Sequence, residues 1–118
     1  MVHFLFHKMF YWGGIYTTLP GKRDEVLAAL TQFSQIIERT EEETRGYLIF
    51  KVIDGLGGDR IWLWETFNSE NAYKEIHAKS KHANHLKDKI GHLLKDRSMS
   101  GYHTVGKGSE IEGSIQPY

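Results

Sequence analysis

Two histidines near the middle of the chain are the residues best suited to proton transfer at neutral pH. His77 and His82 stand on either side of Ser80, and a helix that breaks at Ser80 would let both imidazoles face one pocket. Imidazole titrates near neutral pH and can take a proton from a phenol or a hydroquinone. His77 and His82 are therefore the candidate catalytic residues. The alternative is that both hydrogen-bond to backbone groups and hold the helix break together.

The histidine spacing gives only a weak case for a metal ion. His82 and His85 are three residues apart and would share one face of a helix, as metal ligands can. No acidic or cysteine residue stands at a matching spacing to complete the ligand set. The acidic run at residues 38–43 is typical of a solvated helix face. We therefore expect no metal site.

Aromatic side chains next to these histidines could form the walls of a pocket for a flat ligand. Trp62, Trp64, Phe67 and Tyr73 are the candidate substrate-binding residues, because aromatic rings stack on aromatic ligands. The alternative is that they form the core of a dimer. Alternation along the strand puts the two tryptophans on one face and Glu65 with Phe67 on the other. A buried Glu65 carboxylate would have a raised pKa and could act as a base, although a salt bridge to Arg or Lys at a sheet edge is the alternative.

Length and composition describe one ordinary globular domain. The chain has 118 residues, of which 40% are hydrophobic and 25% charged, with zero net charge and no cysteine. Neutral charge gives no overall basic footprint for nucleic acid, and no apolar run approaches the roughly 20 residues that span a membrane. His3, His7 and Lys8 interrupt the apolar first residues, which read as structure and not as a signal peptide. We expect a cytoplasmic protein with neither nucleic acid nor membrane as a partner.

Hydrophobic periodicity divides the chain into strands and helices. The Gly13-Gly14 pair indicates a bulge or a break in a first strand at residues 2–19, which leaves open whether residues 1–14 belong to it. Asp24 and Ser80 are predicted helix N-caps, and Asn68 or Ser69 is a third. The other predicted elements are a helix at 24–43, strands at 47–53 and 60–67, a short helix at 70–78, a helix from Ser80 to about residue 95, and a strand at 98–107.

This order, β-α-β-β-α-β, predicts an α+β, ferredoxin-like fold in which a four-stranded antiparallel sheet carries helices on one face. The strand at 60–67 is apolar on both of its faces, which is typical of a strand that is covered on both sides. Helices of this chain can cover only one sheet face. We therefore predict a homodimer in which two sheets pack face to face as a dimeric α/β barrel.

Two motifs resemble the antibiotic biosynthesis monooxygenase (ABM) domain family. LPGKRDE at residues 19–25 is similar to the opening of that family's first helix. WETFNSENAY at residues 64–73, followed by His77, Ser80 and His82, is similar to its E-x-W-x-S-x-x-A-F, H-x-x-S-x-H run. The resemblance covers residues 15–107, so we assign residues 1–107 to a single ABM-like domain and 108–118 to a C-terminal tail. It implies a dimeric α/β barrel, and characterised members include cofactor-independent oxygenases acting on polycyclic aromatic substrates, a quinol oxygenase, haem-degrading enzymes and many proteins without known activity.

The chain departs from the family pattern at the positions that haem-degrading members use. Phe67 stands where the family most often has tryptophan, and no asparagine precedes Asn68 to match the first-strand asparagine of haem-degrading members. Lys87 occupies the position that corresponds to their haem-ligand histidine, with His85 two residues earlier. Haem degradation is therefore disfavoured.

The leading hypothesis is a cofactor-independent monooxygenase that oxidises a small aromatic or quinol-type substrate with molecular oxygen, without a metal. Such chemistry needs an electron-rich substrate, a base and a dry pocket. The alternative is a non-catalytic dimeric ligand-binding or stress-response module of the same fold. A cavity of a few hundred cubic ångströms beside His77 would favour the enzyme, and a barrel filled by aromatic side chains would favour the module.

Overall fold

The computed structural model describes residues 9–53, 55 and 58–103. It confirms the predicted order of elements and the single four-stranded antiparallel sheet. With the strands numbered in chain order as given below, their order across the sheet is β2-β3-β1-β4. The predicted tail at residues 108–118 lies outside the described residues. The elements are β1 (Phe10–Thr18), α1 (Arg23–Thr40), β2 (Thr44–Lys51), β3 (Arg60–Phe67), a π-helix (Ala72–His77), α2 (Lys81–Ile90), a 3-10 turn (Gly91–Leu93) and β4 (Leu94–His103).

The central strand β1 runs through the glycine pair without a break. Its pairing with β3 is continuous from Phe10 opposite Phe67 to Thr17 opposite Arg60, so the predicted interruption at Gly13-Gly14 is wrong. Glycine is needed at residue 14 for a different reason. Its φ is +154°, and a Cβ there would collide with the carbonyl oxygen of Ser98 on β4. Residues 2–8 of the predicted first strand lie outside the described part of the chain.

The helix ends follow local capping chemistry at some positions and tertiary packing at others. The predicted Ser80 cap is confirmed, because its Oγ accepts a hydrogen bond from the Ala83 N–H at 3.0 Å. Ser69 likewise accepts from the Ala72 N–H at 3.1 Å. The predicted Asp24 cap is wrong, since α1 starts one residue earlier and the N-cap residue, Lys22, makes no side-chain cap.

Two helices are shorter than the sequence pattern predicts. We expected α1 to reach residue 43, but it ends at Thr40, where Glu41 adopts an extended conformation and turns its side chain into the core. We expected α2 to reach about residue 95, but it ends at Ile90. The last strand accordingly starts at Leu94, four residues before the predicted start. The residues that follow each helix therefore form the turn into the next strand.

Both α-helices cover the same face of the sheet, and the main hydrophobic core lies between the two layers. Burial of these side chains holds α1, α2 and the sheet together, at about 25 cal/mol for each square ångström of apolar surface removed from water. The core side chains are those of Tyr16, Val26, Ala29, Leu30, Ile61, Leu63, Ile90 and Leu93.

The other face of the sheet carries aromatic side chains and no helix of the described chain. Tyr11 and Tyr102 both pack against the Trp64 ring, at centroid distances of 5.6 and 5.4 Å, and Trp64 lies over Gly13, where a Cβ would collide with it. Leu48, Phe50, Trp62 and Tyr102 on this face are exposed. In the described ranges we find no helix with the length and apolarity that crossing a membrane requires.

Substitution of Gly14 tests the close approach of β1 and β4. Gly14→Ala introduces both an unfavourable φ and a backbone collision, so we expect it to lower the free energy of unfolding by about 3 kcal/mol. Gly21→Ala is the matched control, because Gly21 also has a positive φ (78°) but nothing lies within 4 Å of its Cβ position, and we expect a loss of about 1 kcal/mol. Urea unfolding followed by circular dichroism measures both, and equal losses would contradict the collision.

Candidate active site

A π-helix carries the histidine that lies deepest in the protein. The Ala78 N–H donates to the Tyr73 carbonyl at 2.8 Å, a bond that spans five residues instead of the four of an α-helix. The wider turn ends at His77, and Ser80 then starts α2 as a separate helix. π-helical turns are frequent at functional sites, so a buried titratable residue at the end of one is a candidate for chemistry.

The imidazole of His77 lies between two carboxylates from distant parts of the chain. Nδ1 is 2.8 Å from Glu41 Oε1, at the end of α1, and Nε2 is 3.2 Å from Glu65 Oε1, in the middle of β3. The exposed fractions are 5% for His77, 8% for Glu41 and 4% for Glu65. Three ionisable groups are therefore buried together where the first helix, the sheet and the π-helix meet.

The two carboxylates make different contacts. Glu41 Oε1 accepts hydrogen bonds from His77 Nδ1–H and from the Thr44 hydroxyl, both at 2.8 Å. Glu65 Oε1 is 3.2 Å from Nε2, which is ion-pair distance when the imidazole is protonated, but this buried oxygen has no hydrogen-bond partner among the described residues. Glu41 Oε2 is likewise buried without a hydrogen-bond partner among the described residues, so each carboxyl group has a free acceptor site, while Glu41 Oε1 fixes the orientation of the ring.

Burial and mutual charge shift the proton affinities of this cluster. Burial raises the pKa of Glu65 above its usual 4.5, and the adjacent His77 only partly offsets that rise. Burial alone would lower the pKa of His77, but the contacts and charges of Glu65 and Glu41 outweigh it and raise that pKa above 6.5. Both groups thus hold protons more tightly than they would in water.

The cluster borders a cavity with aromatic walls, which we call the inner cavity. Its volume is about 110 Å³, and both Glu65 and His77 line it. Trp12 and Tyr73 stack at a centroid distance of 4.8 Å in its wall. The whole lining is Trp12, Tyr16, Phe33, Tyr47, Glu65, Tyr73, His77, Ala78, Ala83, Leu86, Lys87 and Arg97.

Three tyrosines of the inner cavity keep their phenol protons at physiological pH. Burial raises the pKa of Tyr16 to about 12, with Arg97 opposing and Glu65 adding to the rise. Burial also raises the pKa of Tyr47 well above 10 and that of Tyr73 above 10, and the Glu65 charge adds to both. These phenols can donate hydrogen bonds to a ligand, while Glu65 and His77 are the groups that can accept its proton.

A larger cavity adjoins the inner one, and we call it the outer groove. It measures about 370 Å³ and lies between α2, the 3-10 turn and β4. Tyr16, Leu86, Lys87 and Arg97 line both spaces. The outer groove alone is within the roughly 300–1,000 Å³ range of small-molecule sites, so a ligand that reaches His77 would also occupy part of this groove.

Two of the predicted site residues line the inner cavity, and one supports it. His77 and Tyr73 are in its wall. Phe67 is fully buried behind them, with its ring centroid 4.9 Å from that of His77 and 5.3 Å from that of Tyr73. Phe67 therefore packs against the histidine instead of contributing to the cavity surface.

The other predicted residues lie elsewhere. Trp62 and Trp64 are on the open face of the sheet, opposite the inner cavity, because strand alternation separates them from Glu65. His82 lines a third cavity of about 130 Å³, between α1 and α2, together with His85. Among the described residues no group of three or more histidine, cysteine or acidic side chains could hold a metal ion.

Sequence reasoning missed Glu41 and the contribution of β1. Glu41 belongs to the acidic run that we expected to be solvated, and nothing local distinguishes it from Glu42 or Glu43. Trp12 and Tyr16 carried a usable signal, since their even spacing on β1 puts them on one face of that strand.

The fold defined by these elements is that of single-domain ferredoxin-like α+β proteins, and solved structures share it. A protein from Chloroflexus aurantiacus J-10-fl described as a "putative antibiotic biosynthesis monooxygenase" aligns with a TM-score of 0.68 at 18% identity, over 83% of this chain and 94% of that one. A protein from Caulobacter crescentus CB15 with the same description aligns with a TM-score of 0.72 at 13% identity, over 86% of this chain and 92% of that one. A protein of unknown function from Bacteroides thetaiotaomicron VPI-5482 is described as a possible oxidoreductase. It aligns with a TM-score of 0.73 at 15% identity, over 83% of this chain and 99% of that one.

These likenesses confirm the predicted fold. The sequence matches no protein-family model. It also matches no curated protein. Identities below 20% in the three structures carry no information on substrate, because one fold supports many functions. The geometry of the site is therefore the basis for inferring a function.

The pH dependence of stability tests the buried cluster. A group whose pKa is higher in the folded protein than in the unfolded chain binds its proton more tightly in the folded state, and this stabilises the fold. That contribution to the free energy of unfolding is complete below the unfolded pKa and is lost as pH rises through the folded pKa. The pKa values of Glu65 and His77 are both raised, so we expect the free energy of unfolding to fall as pH rises above 4.5 for Glu65 and above 6.5 for His77, by at most about 1.4 kcal/mol per pH unit for each group.

Glu65→Gln should flatten this decline, because it removes one titrating group and one of the two charges that raise the pKa of His77. Glu38→Gln is the control, since Glu38 is an exposed acid of α1 outside the cluster. Urea unfolding at half-unit pH steps provides the comparison. Parallel pH profiles for native protein and Glu65→Gln would show that Glu65 does not titrate with the cluster.

Proposed function

We propose that this protein is a cofactor-independent monooxygenase that oxidises a small aromatic or quinol-type substrate with molecular oxygen. The observation that supports this function is the buried Glu41–His77–Glu65 cluster beside a cavity lined by aromatic rings. A buried ionic group costs stability unless it is fully paired, so a cluster with an unpartnered carboxylate oxygen is a feature of catalytic sites more than of structural ones.

The three residues of the cluster divide the work of proton transfer. Glu41 Oε1 accepts the hydrogen bond of His77 Nδ1–H, so Nε2 is the nitrogen that takes up a proton when the imidazole is neutral. Nε2 and Glu65 Oε1 are 3.2 Å apart and together form the acceptor for a proton from a substrate hydroxyl in the inner cavity. Glu41 is a positioning residue, because it acts on the substrate only through the imidazole.

Deprotonation makes the substrate its own reductant. A hydroquinone and O₂ give a hydroxyquinone and water: one oxygen atom enters the ring, the other leaves as water, and the substrate supplies all four electrons. The neutral phenols of Tyr16, Tyr47 and Tyr73 are hydrogen-bond donors for the phenolate and for the reduced oxygen. We propose that no metal and no organic cofactor takes part.

We also propose that the active protein is a homodimer formed through the open sheet face. The face carries large apolar side chains that water would otherwise contact, and two copies packed face to face would bury them. Trp62 and Trp64 would then contribute to the dimer core, so their predicted place in a substrate site depends on the partner's geometry. A cytoplasmic location stays a prediction.

Oxygen uptake by variants of the two histidines tests the proposed base. Purified protein is mixed with a panel of anthrols, naphthohydroquinones and simpler hydroquinones in an oxygen-electrode cell. We expect turnover above the uncatalysed rate, and we expect His77→Gln to lower kcat/KM by about 100-fold or more, as for loss of a general base. His82→Gln should cost less than about tenfold, because His82 lines a different cavity.

His92→Gln serves as the control, since His92 is exposed and lines none of the described cavities. Circular dichroism and the oligomeric state of each variant must match those of the native protein. If His77→Gln keeps full activity, the proposed base is wrong. If no compound of the panel is oxidised although aromatic ligands bind, the alternative of a non-catalytic binding module is favoured.

The oligomeric state tests the open face. We expect a dimer by sedimentation velocity, and we expect Phe50→Glu to convert it to a monomer by burying a charge in an apolar interface. Ile76→Glu is matched to it, because Ile76 is 44% exposed and Phe50 46%, but Ile76 is on the π-helix and away from the sheet. A native monomer, or dimers for both variants, would contradict the proposed interface.

A further inference from the structure

The boundary between the inner cavity and the outer groove is positively charged. Lys87 and Arg97 line both spaces, and Lys95 lines the groove, where Asp96 is the single acidic residue of the lining. The chain as a whole has zero net charge, so this is a local excess of positive charge. No ion pair joins Lys87 or Arg97 to a carboxylate within the described part of the chain.

Arg97 is held at this boundary by an aromatic contact. Its guanidinium carbon is 5.6 Å from the centroid of the Tyr16 ring, within the range of a cation–π interaction. Tyr16 is a wall of both spaces, so the contact keeps the guanidinium near the passage between them. Burial raises the pKa values of Tyr16, Tyr73 and Glu65, and the charge of Arg97 opposes that rise in each of these three side chains of the inner cavity.

The inner end of the same passage carries the proton-binding groups. Glu41 and Glu65 lie on either side of the His77 imidazole, and all three side chains are buried. The anionic end of a ligand is attracted to the cations at the boundary, whereas its hydroxyl end can approach Glu65 and His77. The placement of these two kinds of group therefore favours one orientation for an anionic ligand.

The volumes point the same way. The inner cavity, at about 110 Å³, is smaller than sites that enclose a whole drug-sized ligand, while the adjoining groove is about 370 Å³. Because Lys87 and Arg97 line both spaces, a hydroquinone with one hydroxyl beside Glu65 and His77 can present a substituent to these two residues. A substituent at that point meets two cations that lack an ion-pair partner in the described chain.

We infer that the substrate is an aromatic hydroquinone that carries a carboxylate, which Lys87 and Arg97 bind while the opposite hydroxyl faces Glu65 and His77. This inference rests on the proposed function, because it names the substrate class of the same site. Arg97 can bind a carboxylate through two parallel N–H groups, and Lys87 adds a second positive charge. The two residues then determine specificity and orientation, and the buried cluster handles the proton.

Anaerobic binding separates this inference from the oxidation itself. Isothermal titration calorimetry without oxygen compares 1,4-dihydroxy-2-naphthoic acid with its methyl ester, which keeps the rings and removes the charge. We expect the acid to bind native protein at least about tenfold more tightly than the ester, which corresponds to one charge-assisted hydrogen bond. Lys87→Gln and Arg97→Gln should each weaken binding of the acid by about tenfold and leave that of the ester within about twofold.

Lys81→Gln is the matched control, because Lys81 is an exposed lysine of the same helix that lines none of the described cavities. Lys87 is exposed, so Lys87→Gln should fold even if loss of the Tyr16 contact disturbs Arg97→Gln. Equal affinity for acid and ester, no binding of the acid, or variants that weaken both ligands alike would each overturn the inference. Selective binding of the acid without oxygen uptake in air would support the carboxylate site and count against the proposed oxygenase.

Discussion

The contact of His77 with two buried carboxylates is the constraint on which the site depends. It joins the end of α1, the middle of β3 and the π-helix, three elements separated by up to 36 residues of chain. Burial of such a cluster is not an efficient way to stabilise a fold, because desolvation of each charge costs several kcal/mol before the attraction is counted. The hydrophobic core supplies the stability, and the cluster uses part of it to hold three proton-binding groups beside a cavity.

The sheet separates two kinds of aromatic surface. On the helix side, Trp12, Tyr16 and Tyr73 surround a space that a ligand can enter, and their hydroxyl and indole groups remain available for polar contacts. On the open side, the rings of Tyr11 and Tyr102 both pack against the ring of Trp64. Strand alternation alone produces this division, so adjacent residues such as Trp64 and Glu65 have unrelated roles.

The sequence predicted what local chemistry decides and missed what distant contacts decide. The strand at 60–67, the Ser80 cap and the order of elements follow from periodicity and from side chains that bond within three residues, and the structure confirms them. The end of α1 could not be predicted in this way, because Glu41 leaves the helix to reach a histidine 36 residues later. His77 and Glu65 were recognised as separate candidates, but their distance depends on how the π-helix packs on the sheet.

The π-helix has a consequence for how this site can vary. A π-helical turn is an α-helical turn into which one extra residue has been inserted. Deletion of that residue would rotate the side chains before it by about 100° relative to those after it. A homologue without the extra residue would therefore turn a different side chain toward Glu41 and Glu65 while keeping the same sheet and the same α2. The register of six residues, Ala72–His77, thus determines whether the fold holds an imidazole there at all, and a single codon separates the two states.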